Sequence, residues 1–126
     1  MANVTYLANF AMKQYAYQRE IIIYKEYFWN FFLKLDLTSQ KKTEWTLGLI
    51  RDLRIIPSKY FKSIKGSKGL FEIRVHSRND AHRIFCFLDE NRHVVLLNGF
   101  QKKSNRTPRR EIEKAIKLKK DYFNEK

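Results

Sequence analysis

The first half of the chain shows one strand pattern followed by a helix pattern. Residues 15–24 end in the β-branched run Ile21-Ile22-Ile23, which is typical of a strand. Residues 25–35 then place aromatic and aliphatic side chains three and four positions apart, which predicts a helix with one wide apolar face. The residues on this face are Tyr27, Phe28, Phe31, Phe32 and Leu35.

A second helix is predicted after a polar break at residues 36–39. Thr38 or Ser39 is expected to cap its first turn, because a hydroxyl can accept a hydrogen bond from an unpaired backbone N–H. The helix should end before Pro57. With a connection of about three residues, the two helices are expected to form an antiparallel hairpin. The apolar positions expected to face the core are Trp45, Leu49 and Leu53.

In the second half of the chain the hydrophobic period changes to two. Residues 71–76 alternate strictly between apolar and polar, which predicts a half-buried strand. After a polar turn at 77–81, residues 83–88 are nearly all apolar, as in a central strand covered on both faces. A second turn at 89–92 leads to a third strand at 94–100. Three strands with short connections predict an antiparallel meander.

The last segment predicts a third helix. Thr107 is expected to be its N-cap and Pro108 its first residue, because the first turn of a helix cannot pair the N–H that proline lacks. Its inward stripe is predicted to consist of Ile112, Ala115, Ile116 and Phe123. The predicted order is β-α-α-β-β-β-α. This is an α+β domain with the helices, including the hairpin, on one face of a mostly antiparallel sheet.

The length of 126 residues fits one domain. Residues 15–126 are predicted to form it. Residues 1–14 show no convincing period and are interpreted as an N-terminal extension, with Met12 as an alternative natural start. The chain is 44% hydrophobic and 15% aromatic, which is enough apolar material for one compact core and excludes a disordered class.

Cys86 is the only cysteine, so an intrachain disulfide and paired-cysteine metal motifs are excluded. Because it lies in an apolar run, it is expected to be a buried, inert thiol. No apolar run approaches the ~18 residues of a membrane span. The N-terminus lacks the basic and apolar regions of a secretory signal. A cytoplasmic protein that does not engage a membrane is therefore expected.

The net charge of +13 changes this picture most. Residues 54–83 carry eight basic and two acidic side chains, and residues 100–126 carry ten and four, so two blocks hold nearly the whole surplus. A localised surplus of this size favours a polyanionic partner, with nucleic acid as the leading candidate. Residues predicted to contact RNA phosphates are Lys62, Lys65, Lys68, Arg78, Arg106 and Arg109.

The chain has few residues for conventional catalysis. His76, His82 and His93 lack the spacing of metal ligands, and no Gly-rich phosphate loop or nucleophile motif is present, so neither a metal nor a cofactor is expected. Cleavage of RNA by fixed cations remains possible, because RNA carries its own nucleophile, the 2′-OH. Arginine can grip two oxygens of the attacked phosphate, and lysine or histidine with a lowered pKa can transfer protons.

Two arginines on the predicted strands are candidates for phosphate binding. Arg74 shares the polar side of its strand with Glu72 and His76, and Arg83 opens the apolar central strand. Arg83 could instead form a salt bridge with Glu72 or Glu111, and the residue pattern leaves both interpretations open.

Four stretches together resemble the RelE/ParE superfamily of toxins, in its HigB-like, phage-derived branch. They are FEIRV at 71–75, HRIFCFLD at 82–89, VVLLNGFQKK at 94–103 and the TP…EI segment at 107–120. The resemblance spans roughly residues 19–126 and implies a RelE-like fold. It also implies the toxin of a type II toxin–antitoxin module that cleaves mRNA on the ribosome without a metal. A cognate antitoxin, commonly a helix-turn-helix protein, would neutralise it.

The resemblance also implies roles for four basic residues. Arg74 matches the basic position on the first meander strand, and Arg83 matches the arginine that contacts the scissile phosphate. Lys102 and Lys103 match the basic pair after the last strand. These four residues, with His82, are the predicted catalytic set.

The chain departs from the family pattern at residues 104–106, where some members carry a tyrosine or histidine that stacks or donates a proton. His82, beside Arg83, is the predicted substitute, with Lys102 or Lys103 as alternatives. His76 and His93 are expected to face solvent.

Two other functions remain open. A ParE-like toxin inhibits DNA gyrase and cleaves nothing, and such toxins generally lack a complete basic site. A non-catalytic, basic nucleic-acid-binding module would use the charge alone. The combination of Arg74, Arg83 and the lysine pair favours the nuclease.

Overall fold

The structure is a computed structural model that describes residues 18–125. These residues form a mixed α+β fold with a five-stranded sheet and three helices, as predicted in class. The elements are β1 (Ile21–Ile23), α1 (Tyr27–Phe32), α2 (Leu37–Asp52), β2 (Phe61–Ser63), β3 (Phe71–Ser77), β4 (Asp80–Leu88), β5 (Val94–Lys102) and α3 (Arg109–Asn124). The predicted extension at residues 1–14 and the start of the predicted first strand lie outside the described residues.

The strand order in the sheet is β1-β5-β4-β3-β2. β3, β4 and β5 form the predicted antiparallel meander, and β1 pairs in parallel with β5 at the edge. β2 at the other edge was not predicted from the sequence. It has three residues, too few for a period, and it pairs with β3 in the register Phe61↔Ile73. The ring of Phe61 stacks on that of Phe71, with centroids 4.8 Å apart.

The helices lie on both faces of the sheet, and the prediction of one face is wrong. α1 and α2 cover one face, where Phe28 and Ile50 pack with Ile84. α3 covers part of the other face, where Leu118 packs with Phe85. The cause is the composition of β4, which is apolar at both parities beyond Arg83 and therefore needs cover on both sides.

Helix α2 differs from its prediction in both cap and buried face. Its N-cap is Asp36, whose Oδ1 accepts a hydrogen bond from the Ser39 backbone N–H at 2.7 Å, so neither Thr38 nor Ser39 is the cap. The buried residues are Ser39, Thr43, Thr46 and Ile50. The hydroxyls of the two threonines donate to backbone carbonyls one turn earlier, which satisfies them without water. Trp45, predicted to face the core, lies outside this stripe.

Helix α3 begins one residue later than predicted, with Pro108 as its N-cap instead of Thr107. Its buried residues are Ala115, Leu118 and Tyr122. Ile112 and Ile116 pack at the margin of the core, as predicted, but Phe123 is 41% exposed and is not part of the inward stripe. The Tyr122 hydroxyl donates to the buried carboxylate of Asp89.

Cys86 is fully buried, as predicted, and burial raises the pKa of its thiol, which makes it a poor nucleophile. No helix within residues 18–125 has both the length and the apolar character that a membrane span requires.

Candidate active site

One face of the sheet is only partly covered. α3 packs on β4 and β5, and the side chains of β3 that point to the same side lie beyond the helix. Because side chains alternate along a strand, Ile73 and Val75 point toward α1 and α2 and are fully buried there. Glu72, Arg74 and His76 therefore lie on the opposite, partly open side. We call this side the open sheet face.

The strand register brings the predicted basic residues together on this face. Arg74 pairs directly with Arg83 on the neighbouring strand. His76 pairs with Ala81, which in turn pairs with Lys102 on β5. Since neighbouring strands lie about 4.8 Å apart, these side chains occupy one patch three strands wide. Lys62 joins them, because it pairs with Glu72 from β2.

The patch borders an open cavity of about 330 Å³. It is lined by Ala81, Arg83, Lys102, Lys103, Ser104 and Asn105. Two of these residues belong to β4, and the others belong to the end of β5 and the loop that leads to α3. The structure therefore brings all four basic residues of the predicted catalytic set to one place, although three come from separate strands and Lys103 comes from the loop after β5.

Glu72 is a buried acid at the centre of this basic patch. It accepts a hydrogen bond from Arg74 Nε at 2.9 Å, and its other oxygen lies 3.8 Å from Arg83 Nε. The salt bridge of Arg83 with Glu72, one of the two interpretations left open by the sequence, is thus present. This salt bridge does not occupy all five N–H donors of the guanidinium. Another donor, at Arg83 Nη1, bonds to the backbone carbonyl of His82. Glu72 thus holds Arg74 by a hydrogen bond and forms a longer ion pair with Arg83.

Glu72 was predicted as a salt-bridge partner and not as a site residue. The sequence places Glu72 on the polar side of β3, together with Arg74 and His76. A single acid among basic residues on that side of the strand is the signal that could have identified it as a site residue.

The electrostatics of the open sheet face favour proton transfer. Burial, followed by the positive charge of Arg83, lowers the pKa of the Lys102 ammonium; Glu72 opposes this shift, and Arg74 and Lys62 contribute to it less. Partial burial, followed by Arg83 and Arg74, lowers the pKa of the His76 imidazole from its ordinary value near 6.5. His76 is therefore mainly neutral at pH 7 and can accept a proton.

Arg83 is itself 5% exposed. Burial, more than the charge of Arg74, lowers the pKa of its guanidinium, and the nearby Glu72 carboxylate opposes that shift. An arginine remains charged under all such shifts, because its ordinary pKa is far above neutrality. A buried, oriented and permanently charged group is suited to a phosphate that becomes more negative during reaction.

His82 is not part of the cluster. It precedes Arg83 on β4, so strand alternation directs it to the opposite face, where its ring meets Phe31 edge-on with centroids 5.8 Å apart. It is 2% exposed, and neither ring nitrogen has a hydrogen-bond partner among the described residues. Burial lowers the pKa of its imidazole. The predicted proton donor is thus separated from the other catalytic candidates by the sheet.

The two remaining histidines differ in position. His76 is exposed, as predicted, and belongs to the open sheet face. His93 is half-buried in the β4–β5 turn, where its Nδ1 lies 3.3 Å from Asp89, at the other end of β4 from Ala81.

The residues predicted to bind RNA phosphates are spread more widely. Lys65 and Lys68 lie in the β2–β3 connection, where the Lys68 carbonyl accepts a hydrogen bond from Lys119 on α3. This is the far end of the sheet from Lys102. These two lysines are therefore not brought to the patch, although Lys62 is.

The three predicted arginines also occupy different positions. Arg78 forms the β3–β4 turn with a positive φ of 56° and contacts the hydroxyl of Thr38 on α2. Arg106 lies in the loop after β5, next to the cavity-lining Asn105. Arg109 opens α3 and makes an exposed ion pair with Glu113.

No three His, Cys, Asp or Glu side chains in the described part of the chain are grouped so that they could hold a metal ion. The chemistry that the open sheet face offers is that of cations: two arginines held by one carboxylate, a lysine of lowered pKa and a neutral histidine.

Comparison with known protein families gives one match. Residues 30–120, more than two thirds of the chain, match the family model described as phage derived protein Gp49-like (DUF891). A search of curated proteins gave no significant match. The matched segment includes β2, β3, β4 and β5, which carry the side chains of the open sheet face.

Proposed function

This chain belongs to the family of phage-derived, Gp49-like proteins, and from that premise we propose that it is the toxin of a type II toxin–antitoxin module with metal-independent endoribonuclease activity. The RelE-like, HigB-like resemblance, which spans roughly residues 19–126, supports this proposal. One observation carries it: strand register gathers Arg74, Arg83 and Lys102 from three strands onto one open surface. The substrate would be mRNA on the ribosome in the cytoplasm, and a cognate antitoxin would neutralise the activity.

The proposed reaction is transfer of a phosphodiester within RNA. The 2′-oxygen attacks the adjacent phosphorus, the bond from phosphorus to the 5′-oxygen breaks, and the products are a 2′,3′-cyclic phosphate and a 5′-hydroxyl. The 2′-OH loses one proton and the leaving 5′-oxygen gains one. Between these events the pentacoordinate phosphate carries additional negative charge on its non-bridging oxygens, so stabilising that charge lowers the barrier.

Each residue of the open sheet face has a role in this proposal. Arg83 and Arg74 would hold the non-bridging oxygens, since guanidinium groups bind two oxygens in a fixed geometry. Neutral His76 would accept the proton of the 2′-OH. Lys102, with its lowered pKa, would donate to the 5′-oxygen. Glu72 would act as a positioning residue through its contacts to both arginines.

The first test is induction of the protein in growing bacteria, with primer extension on translated mRNA. We expect growth arrest and new 5′ ends within coding regions. The purified protein, after treatment with a chelator of divalent ions and removal of that chelator, should cleave RNA on programmed ribosomes as well as the untreated protein. DNA breaks that depend on gyrase would instead support a gyrase inhibitor. Growth arrest without any new RNA end would exclude the nuclease.

The proposal also predicts a pH dependence that belongs to His76. Its lowered pKa means that cleavage should be lost as the pH falls through that pKa, because protonated His76 cannot accept a proton. His76→Gln should lower the cleavage rate by about 100-fold and remove this acidic limb. The measurement is the single-turnover cleavage rate between about pH 5 and 8.

His93→Gln is the matched control, because it changes the same residue type in a turn at the far end of β4. It should keep both the rate and the acidic limb. An unchanged acidic limb in His76→Gln would remove His76 from the mechanism and leave Lys102 as the remaining proton-transfer candidate.

A further inference from the structure

A second basic surface lies around the free edge of β3, on the side of helix α2. Trp45 is 48% exposed, because the buried stripe of α2 runs through Thr46 and Ile50 instead. The Nζ of Lys42 lies 4.0 Å from the centre of the Trp45 ring. The ring of Tyr60 meets that of Trp45 edge-on at 5.7 Å. We call these aromatic residues, with Lys42, the aromatic platform.

The platform borders an open groove of about 490 Å³. The groove is lined by Thr38, Lys41, Lys42, Trp45, His76, Ser77 and Arg78. Three of these seven residues are basic and none is acidic. An aromatic ring that is exposed to solvent and surrounded by cations contributes little to the core. In proteins that bind single-stranded nucleic acid, such a ring stacks on an unpaired base while the cations neutralise the phosphates.

His76 connects the groove to the open sheet face. It lines the groove and also pairs across the sheet with Ala81, beside Arg83. The charges of Lys59 and Lys42 act on its imidazole together with those of Arg74 and Arg83. The two basic surfaces are therefore neighbours that share His76.

The geometry points to a binding site for single-stranded RNA in this groove, with one unpaired base stacked on Trp45 and its phosphates on Lys41, Lys42 and Arg78. The inference rests on the proposed ribonuclease function and assigns a substrate subsite next to it. Single-stranded RNA is the favoured ligand because stacking on a side chain requires a base that has left its duplex. Lys42, which covers part of the ring in the free protein, has a flexible side chain that can move to a phosphate.

The two tryptophans of the chain allow a direct test. Trp29→Phe leaves Trp45 as the only tryptophan. The probe is a short single-stranded RNA with 2′-O-methyl riboses, which cannot be cleaved because its nucleophile is blocked. We expect this RNA to quench the fluorescence of Trp45, and the same sequence as a duplex to leave it unchanged. Binding without quenching, or no binding of the single strand, would overturn the inference.

Affinity measurements with variants provide the second arm. Trp45→Leu should raise the Kd for the single-stranded probe by about 5- to 100-fold, the usual contribution of one stacked base. Trp45→Phe, which keeps a smaller ring, should recover part of this loss. Trp29→Phe is the control, since Trp29 is similarly exposed but lies on α1. An unchanged Kd in Trp45→Leu would show that the base is not stacked there.

The experiments can contradict the RNA-binding role of the aromatic platform and the proposed ribonuclease function separately. If the unmodified RNA is cleaved while Trp45→Leu binds and cleaves normally, the platform is wrong and the nuclease stands. If the blocked RNA quenches Trp45 while RNA is never cleaved, either free or on programmed ribosomes, the platform stands and the protein is a binding module.

Discussion

Arg83→Ala should abolish growth inhibition and lower the rate of RNA cleavage by about 100- to 1,000-fold, the usual effect of removing one preorganised donor to a reacting anion. Arg83 is 5% exposed and lies beside a cavity with Lys102 and Lys103. A buried guanidinium is held in place before the substrate arrives, and little water screens its charge. Its loss should therefore reduce the catalytic rate more than it reduces RNA affinity. The measurement is single-turnover cleavage at saturating protein, with growth inhibition as the cellular readout.

The variant must be shown to fold, because Arg83 also contacts Glu72. Glu72 keeps its 2.9 Å hydrogen bond from Arg74, so its carboxylate is not left without a partner. Arg83→Lys is the informative companion: it keeps the positive charge, loses the two-pronged geometry and should retain a small part of the activity. Arg51→Ala, at an exposed pair with Asp52 on α2, should change neither activity nor melting temperature. A folded Arg83→Ala protein with full activity would remove Arg83 from the reaction.

The strands that carry the site could be predicted because their patterns are strong. Residues 71–76 of β3 alternate strictly, and β4 is apolar at both parities after Arg83. The three-residue β2 has no period of its own and exists because β3 offers a free edge beside it. Pairing between distant segments is a tertiary effect, which a local pattern does not contain.

Helix faces were predicted less well for a physical reason. Apolar residues at four-residue spacing suggested that Trp45 faces the core, but Thr43 and Thr46 occupy that side of α2. Their hydroxyls bond to the backbone of their own helix, so they can be buried at little cost. The hydrophobic period of a sequence does not show that threonines can fill the buried side of a helix. Because they do so in α2, Trp45 stays exposed and forms the aromatic platform.

Within the site, the strand pattern made Arg74 and Arg83 candidates, and the resemblance added Lys102 and Lys103. The structure brings these four residues together. Strand alternation, applied to the neighbours of the two arginines, would also have distinguished His76 from His82 as the proton-transfer candidate. Since Arg83 points to the open sheet face, its neighbour His82 must point away, and His76, two residues beyond Arg74, must point toward it.

Phe87→Ala should lower the free energy of unfolding by about 3–5 kcal/mol, as expected for removing a fully buried aromatic side chain. Phe87 lies on β4 beneath α3, has no exposed surface and meets the ring of Tyr122 edge-on at 5.2 Å. Because the total stability of a domain of this size is about 5–15 kcal/mol, the variant should be close to unfolding at 37 °C. Urea denaturation followed by circular dichroism measures the change.

Phe123→Ala is the matched control for this prediction, because the two rings lie 5.4 Å apart but Phe123 is 41% exposed. Removing the exposed ring leaves no cavity, so its loss should be less than half of that at Phe87. Equal losses would mean that α3 does not seal this side of the sheet as described. The pair also separates two ways of losing toxicity: Phe87→Ala should lose it together with its folded structure, whereas Arg83→Ala should lose it while folded. A site built on the uncovered part of a sheet depends on the covered part in this way, since α3 packs on β4 and β5, whose pairing places Lys102 opposite Ala81, two residues before Arg83.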